Sequence, residues 1–280
     1  MTKEKLPFDE IGYWSEIKLE IIRKYAAAYS RILSSQHRTR FEHVYIDGFA
    51  GSGKHLSKTS GRIVAGSPMV ALQVEPPFKH HYFIDIESRR VRQLEEIAGQ
   101  RADVDLFRGD CNHVLLEQVF PRVRYKEFKR GLCLLDPYGL HLDWEVIQEA
   151  GRARSIEIFL NFPVADMNRN VLWRNPERVS PDQVKRMTRY WGDESWRGIA
   201  YTSEPGLFGD MEEKADADVI VEAFRGRLQH VAGFKHVPSP IPMRNNQGAI
   251  VYYLYFASQN QTGAKIATDI FRKYRDRGSP

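Results

Sequence analysis

The pattern of apolar and polar positions predicts a long helix over residues 14–33. Its apolar residues recur in steps of three and four, which places them on one face of a helix. They are Trp14, Ile17, Ile21, Tyr25, Ala28 and Ile32. The apolar run EHVYIDGF follows at residues 42–49. A continuous apolar run of this length is typical of a strand buried in a parallel sheet.

Strands and helices alternate through the middle of the chain. The next strands, with their closing turns, are HYFIDIE, VDLFRGDCN, GLCLLDPYG and SIEIFLNF, which begin at residues 81, 104, 131 and 155. The helices are GSPMVALQV, SRRVRQLEEIAG, NHVLLEQVF and LDWEVIQEAG, which begin at residues 66, 88, 112 and 142. Ser67 is the expected N-cap of the first helix, since Pro68 suits a first helical turn. A polar loop is expected at residues 53–66.

The alternation stops at residues 165–209, a polar stretch with tryptophans that we interpret as an insertion or lid. Helices are predicted over residues 217–231 and 263–274. Between them lie two apolar segments, GFKHV (233–237) and AIVYYLYFAS (249–258). Their connection is too short for a crossover helix, so these two strands must pair antiparallel.

These elements predict one α/β domain over residues 1–280, with an N-terminal helical segment at 1–40. Strict alternation of strands and helices indicates a parallel sheet with helices on both faces. Five parallel strands and an antiparallel C-terminal pair are similar to the Rossmann-like, seven-stranded sheet of class I S-adenosylmethionine (SAM) methyltransferases. The expected fold is therefore class I methyltransferase-like, with an insertion after the fifth strand.

The composition argues against several classes of protein. No apolar run approaches the ~20 residues of a membrane span, and the N-terminus lacks the apolar core of a signal peptide. Cys111 and Cys133 are too few for a tetrahedral metal site, and their apolar neighbours indicate buried free thiols. We therefore expect a cytoplasmic protein without a metal. The net charge of +5 permits contact with nucleic acid without requiring it.

The loop after the first strand, DGFAGSGKH, contains a near match to a nucleotide-binding P-loop. Gly48-x-x-x-x-Gly53-Lys54 has the right spacing, but His55 replaces the Ser or Thr that binds Mg²⁺. The next helix is predicted to begin only near Ser67, so no helix N-terminus follows the lysine. The pattern therefore disfavours a triphosphate site.

The same loop also suits a cofactor-binding turn. An acid closes the strand, and glycines let the backbone approach a ligand closely, as in the SAM loop of class I methyltransferases. The candidate residues are Asp47, Gly48, Phe49, Gly51 and Gly53. A plain tight turn with a buried aspartate is the competing interpretation.

Acids recur at the ends of the next two strands. Asp85 is the first choice, and Glu87 the second, for an acid that accepts hydrogen bonds from ribose hydroxyls. Asp110, followed by Cys111, lies where a side chain can bind an adenine amino group. Asp110 is equally suited to cap the next helix. With the glycine loop, these acids predict SAM as the cofactor.

Asp136-Pro137-Tyr138 ends the fourth strand and carries the candidate chemistry. Methyl transfer to an amine needs alignment, an acceptor for the amine protons and an aromatic ring that stacks on the substrate. Asp136 is the expected acceptor and Tyr138 the stacking ring. Amino-methyltransferases have two prolines here, whereas this chain has one. The alternative is an Asp-Pro turn with a packed tyrosine.

Two basic segments suggest a surface for nucleic acid. In the insertion, the candidate contacts are Arg169, Trp173, Arg174, Lys185 and Arg186. Further aromatic residues, Tyr190, Trp191 and Trp196, follow them and suit stacking on bases. The second segment, RVRYKEFKR at residues 122–130, has five basic residues and one acid. A solvated surface or the docking of a partner protein are the alternatives for both segments.

Several motifs together resemble the three-Cys-motif partner protein (TcmP) family. They are YIDGFAGSG, GSPMVAL, GDCN, LLDPYGLHLDW, FLNFPVADMNRN and YYLYFAS, which span nearly the whole chain. The resemblance implies a bacterial, methyltransferase-like protein that binds SAM. It also implies a partner, a radical-SAM-like three-cysteine protein from a neighbouring gene. A non-catalytic scaffold that serves this partner is the alternative to an enzyme, and the oligomeric state stays open.

Overall fold

The computed structural model describes residues 9–36, 40–206 and 209–275. Its strands are β1 (Asp9–Ile11), β2 (Glu42–Asp47), β3 (Lys54–Ser57), β4 (Ile63–Ala65), β5 (His80–Asp85), β6 (Val104–Arg108), β7 (Lys129–Leu135), β8 (Ile156–Phe162), β9 (Tyr201–Gly206), β10 (Gly209–Lys214), β11 (Ile241–Arg244) and β12 (Ile250–Ala257). Its α-helices are α1 (Tyr13–Ser34), α2 (Ser67–Leu72), α3 (Ser88–Ala98), α4 (Cys111–Val114), α5 (Trp144–Ala153), α6 (Val164–Asn170), α7 (Pro181–Trp191), α8 (Trp196–Ala200), α9 (Ala217–His230) and α10 (Gln261–Arg275). Residues 1–8 and 37–39 of the predicted N-terminal segment lie outside the described residues.

Seven strands of the described chain form one sheet in the order β11, β12, β8, β7, β2, β5, β6. The strands β2, β5, β6, β7 and β8 are parallel, whereas β12 is antiparallel to β8 and to β11. The prediction of a seven-stranded, mostly parallel sheet is confirmed. The chain order reverses beside β2, whose neighbours are β5 and β7. Ligands of open α/β sheets bind at the carboxyl ends of the strands beside such a reversal.

Alternate residues of the parallel strands enter two separate cores. On β2, Tyr45 faces the core that contains α1, α2 and α10, whereas Val44 and Ile46 face the core of α4, α5 and α9. On the predicted apolar face of α1, Ile21 and Tyr25 are fully buried. Helices therefore cover both faces of the sheet. Among the described helices, none combines the length and the apolar character that crossing a membrane requires.

The predicted strand at residues 233–237 is wrong. This segment makes a single bridge, from His236 to Ser258, and the strand that pairs with β12 is β11, in the predicted loop. Pro242 is tolerated in β11 because the strand lies at the sheet edge, where a missing N–H costs no ladder bond. The prolines around it are what made this segment resemble a loop.

The predicted polar loop at residues 53–66 contains β3 and β4, which form a small sheet with β1. Gly66, and not Ser67, is the N-cap of α2. A Cβ at Gly66 would stand 2.9 Å from the carbonyl carbon of Gly53. The close approach of these two segments therefore requires glycine at this position.

The predicted insertion at residues 165–209 is more regular than expected. It contains α7, α8 and β9, and β9 pairs antiparallel with β10, which begins at the last residue of the predicted insertion. Residues 207–208 lie outside the described part of the chain. Tyr190, Trp191 and Trp196 are buried and pack in the core beneath the insertion. The prediction that these three rings stack on bases is wrong, because they form the apolar side that holds the insertion on the domain.

Candidate functional site

The glycine loop after β2 turns through two residues with left-handed backbone angles. Gly51 has a φ of +64° and Gly53 a φ of +76°, a region that favours glycine. Lys54 begins a strand, and the next helix begins only at Ser67. A P-loop needs a helix N-terminus directly after its lysine, so the fold excludes that interpretation.

Asp85 fixes this loop against the end of β5. Its carboxylate accepts the backbone N–H of Gly51 at 2.9 Å and that of Glu87 at 2.8 Å. Arg90 Nη1 lies 3.7 Å from the same carboxylate. A carboxylate offers about four lone-pair sites, so these contacts leave capacity for a ligand hydroxyl. The Glu87 side chain is exposed beside it.

Asp47 is fully buried at the end of β2 and accepts the N–H of Phe49 at 3.2 Å. Burial raises the pKa of this carboxyl to about 7. A Cβ at Gly53 would stand 2.7 Å from Ile97 Cδ1 of α3, so this glycine faces the protein interior. Neither Asp47 nor Gly53 lines the cavities described below. Asp47 and Gly53 therefore support the loop from its buried side.

Asp110 caps α4 by accepting the N–H of Asn112 at 2.7 Å. Asn112 then joins this turn to the one after β7, since its side chain donates to the His141 carbonyl at 3.0 Å and accepts the Asp143 N–H at 2.8 Å. The capping role is confirmed, and a contact with adenine stays a prediction. Cys111 beside it is a buried free thiol whose pKa is raised by burial.

A cavity of about 840 Å³ lies at the carboxyl ends of β5, β6 and β7. Small-molecule sites commonly have volumes of about 300–1,000 Å³. The predicted cofactor residues that line it are Gly48, Phe49, Asp85, Glu87, Asp110 and Cys111. The ends of three strands therefore converge on one site, as the spacing of their acids predicted.

A second cavity, of about 350 Å³, adjoins the first. Glu10, Phe49 and Tyr138 line both cavities and therefore stand at their junction. Gly51 and Asp136 lie on the wall of the second cavity. Six of the predicted cofactor residues thus line the first cavity, whereas Gly51 lines the second cavity together with the predicted acceptor residue.

Asp136 is held by two side chains in the second cavity. Lys18 Nζ donates to Asp136 Oδ2, and Asn161 Nδ2 donates to Asp136 Oδ1 at 3.0 Å and to the Pro137 carbonyl at 3.4 Å. The sequence did not assign Lys18 a role. The sequence does contain an indication of its role, because Lys18 lies within the apolar stripe of α1, between Trp14 and Ile21. A charged group buried at such a position needs a partner.

Tyr138 is the most exposed aromatic ring at the site, with 74% of its surface open to solvent. The guanidinium carbon of Arg90 lies 5.8 Å from its ring centroid. The packed tyrosine of the alternative interpretation is therefore wrong, because this ring is not part of a core. A face of Tyr138 is free to stack on a planar group.

The predicted nucleic-acid residues of the insertion divide into two groups. Arg169 lines the second cavity and Arg186 the first. Trp173 is exposed, and its indole N–H donates to the Arg169 carbonyl at 2.7 Å. Arg174 and Lys185 are exposed on the outer surface and line neither cavity. The insertion thus brings basic side chains to the edge of both compartments.

No family model and no curated protein match the chain. Among solved structures, a Legionella pneumophila protein matches over 93% of this chain and 94% of its own, at 13% identity and a TM-score of 0.50. A SAM-dependent methyltransferase from Methanosarcina mazei matches over 79% and 93%, at 12% identity and a TM-score of 0.38. The M. jannaschii protein TYW2, in complex with AdoMet, matches over 87% and 75%, at 11% identity and a TM-score of 0.35. The first similarity supports the fold alone, and the two lower scores carry no argument.

Proposed function

We propose that the protein binds SAM in the larger cavity and transfers its methyl group to an amine in the smaller one. The observation that carries this proposal is the junction formed by Phe49 and Tyr138 between the two cavities. A cofactor that lies along the strand ends would present one end at this junction. The acceptor would then lie against Asp136, on the other side of the Tyr138 ring.

The residues of the larger cavity fit SAM. Asp85 and Glu87 offer carboxylate oxygens to a ribose, and Asp110 keeps one oxygen outside its helix cap for an adenine amino group. Gly51 lies on the wall of the smaller cavity, and a Cβ there would meet no atom within 4 Å, so the loop leaves open space beside the junction. When bound, SAM would supply an electrophilic methyl group on its sulfonium. The protein would contribute alignment and the exclusion of water.

An uncharged amine on a planar ring is the acceptor that suits the smaller cavity. Lys18 already neutralises the charge of Asp136, so the pair offers little attraction to a protonated alkylamine. An oxygen of Asp136 can still accept an N–H from a neutral amino group. The exposed ring of Tyr138 supplies a stacking face, as aromatic side chains do for bases.

A nucleobase in nucleic acid is the acceptor class we favour. Arg169 on the wall of the cavity and exposed Arg174 and Lys185 nearby would hold phosphates, with Trp173 beside them. Radiolabelled methyl transfer from SAM to fractionated cell extract tests this, with Asp136→Ala as the control. We expect label in an RNA or DNA fraction, and loss of that label in the variant. No labelled fraction with the wild-type protein would contradict the proposal.

A second candidate is a non-catalytic scaffold for the three-cysteine partner that the TcmP resemblance implies. Both oxygens of Asp136 already accept hydrogen bonds, from Lys18 and Asn161, which is the observation that favours it. Its test is co-purification with the neighbouring three-cysteine protein. A complex that survives Asp136→Ala, without methyl incorporation into any fraction, would support the scaffold over the enzyme.

A further inference from the structure

A third cavity, of about 610 Å³, opens at the amino ends of β7 and β8, opposite the candidate active site. We call it the basal cavity. Arg130, Arg154 and Lys235 line it, and none of the three has an acidic partner among the residues that the structure describes. This grouping of cations is unrelated to SAM binding, since the strands separate it from the carboxyl edge of the sheet.

The only described acid on the wall of the basal cavity is Glu157. Its carboxyl accepts the hydroxyl of Tyr25 at 2.5 Å and that of Ser258 at 2.7 Å. Burial raises the pKa of Glu157, which favours its uncharged form. Both oxygens of Glu157 therefore accept hydroxyl groups of the protein, and among the described residues Glu157 forms no ion pair with Arg130, Arg154 or Lys235.

Two exposed aromatic residues of the basic segment at residues 122–130 lie at the basal cavity or beside it. Tyr125 lines the cavity, and the ring centroid of Phe128 lies 6.3 Å from that of Phe41, which also lines it. Tyr125 is 52% exposed and Phe128 54% exposed. Arg130 fixes this edge, because its guanidinium carbon lies 4.0 Å from the ring centroid of Tyr125 and 4.8 Å from that of Phe41. Phe128 has a φ of +57°, which is unusual for a bulky residue. This residue ends the short 3-10 turn Tyr125–Glu127 and turns the chain into β7.

We propose that the basal cavity and this aromatic edge bind single-stranded nucleic acid. Phosphates would contact Arg130, Arg154 and Lys235, and bases would stack on Tyr125 and Phe128. A nucleic-acid strand is favoured over a single nucleotide because the basic surface continues past the basal cavity. A neighbouring cavity shares Tyr125, Arg154 and Lys235 with it and adds two further cations, Arg124 and Lys126.

The acids of that neighbouring cavity restrict the path of the strand. Glu117, Glu145 and Glu149 line it together with the cations. Phosphates would avoid this acidic wall and follow the basic segment instead. Within the segment, Arg122 already pairs with Asp105, and Arg124 and Lys129 both pair with Glu127. Lys126 and Arg130 are therefore the cations of the segment that remain for phosphates.

The test is fluorescence anisotropy with a labelled oligouridylate of about 12 nucleotides, within the usual length of such sites. Tyr125→Ala and Phe128→Gly should each weaken binding about 5- to 100-fold, as expected for the loss of one stacked base. Glycine at position 128 suits the positive φ, so the second variant should keep its fold. Lys235→Ala should make the plot of the logarithm of the association constant against the logarithm of salt concentration less steep, by about 0.7 in slope. The control is Arg62→Ala, which removes the same charge from the turn between β3 and β4 and should change nothing.

Three outcomes would overturn the proposal. They are no binding by the wild-type protein, wild-type affinity in both aromatic variants, and equal affinity for uridine monophosphate, which would indicate a small-nucleotide site. Melting curves of each variant show whether a weakened interaction reflects loss of the fold. The titration is made without SAM and measures no methyl transfer. An oligonucleotide held only at the Arg169 surface of the proposed function would bind both aromatic variants like the wild type, so these variants distinguish the two surfaces.

Discussion

Lys18 of α1 and Asp136 after β7 form an ion pair on the wall of the smaller cavity, although 118 residues separate them in the chain. Burial alone would lower the pKa of Lys18, but the neighbouring carboxylate outweighs it and holds that pKa above its usual range. The side chains are only 10% and 25% exposed, so water screens the pair little. The N-terminal helix is therefore part of the candidate acceptor site.

The ion pair predicts a clear loss of stability in Lys18→Met. Methionine keeps most of the apolar stem but leaves Asp136 as an unpaired, largely buried charge, which should cost about 2–3 kcal/mol in the free energy of unfolding. Urea denaturation measures this. The matched control is Lys24→Met on the same helix, whose contact with Glu20 is more exposed and should cost under about 1 kcal/mol. Equal losses in both variants would contradict the account.

The double variant Lys18→Met/Asp136→Asn separates the pair from simple packing. It removes both charges together, so no unpaired carboxylate remains in the cavity. We expect it to be more stable than Lys18→Met alone. A double variant that is less stable than either single one would show that the two side chains act independently.

Asp47 predicts a pH dependence of stability. Its pKa is about 7 in the folded chain and should be about 3.9 in the unfolded one. Between these pH values the folded state binds a proton that the unfolded state does not. Asp47 therefore makes the free energy of unfolding fall as the pH rises from about 4 to 7, and the equilibrium constant for unfolding grows by up to tenfold per pH unit. Asp47→Asn should lack this component. If the free energy of unfolding of the wild type and of Asp47→Asn changed in parallel from pH 4 to pH 8, this prediction would be wrong.

Gly53 and Gly61 offer a matched pair of substitutions, since both have a positive φ. An added methyl at Gly53 also meets Ile97, whereas one at Gly61 meets nothing within 4 Å. Gly61→Ala should cost about 1 kcal/mol of stability from backbone strain alone, and Gly53→Ala about 2 kcal/mol. Gly53→Ala should also weaken SAM binding, because it moves the loop. Calorimetry and thermal melts of the two variants measure both effects.

Substitution of Tyr138 should reduce methyl transfer to the acceptor without destabilising the fold. Its ring is mostly solvent-exposed, so Tyr138→Ala should change the free energy of unfolding by less than about 0.5 kcal/mol. Methyl incorporation into the nucleic-acid fraction should fall about tenfold or more, from the loss of stacking. Tyr138→Phe keeps the ring and should retain most of the activity. Normal incorporation in Tyr138→Ala would remove the ring from the proposed mechanism.

The sequence predicted the five parallel strands well, because buried parallel strands such as β2 and β8 are continuous apolar runs. It placed the acids Asp85, Asp110 and Asp136 at strand ends, and in a parallel sheet those ends share one edge. Local pattern alone was sufficient for both results.

What the sequence missed depends on contacts between distant segments. Nothing near Lys18 indicates that its partner is Asp136, since the pairing follows only from how α1 packs on the sheet. Tyr190 and Trp191 were expected on the surface because their neighbours are polar, but they lie on the inner face of an amphipathic helix. Pro242 concealed an edge strand, since proline usually marks a loop.

Binding of SAM at the carboxyl edge is the central claim, and calorimetric titration with S-adenosylhomocysteine tests it most directly. The wild-type protein, alone or with the three-cysteine protein that the TcmP resemblance implies, should bind one equivalent. Asp85→Ala should weaken that binding about tenfold or more, since the variant loses a ribose acceptor and frees the Gly51 amide. Asp103→Ala, whose side chain pairs with Arg101 near the amino end of β6, should bind like the wild type. No heat of binding under either condition would contradict the account.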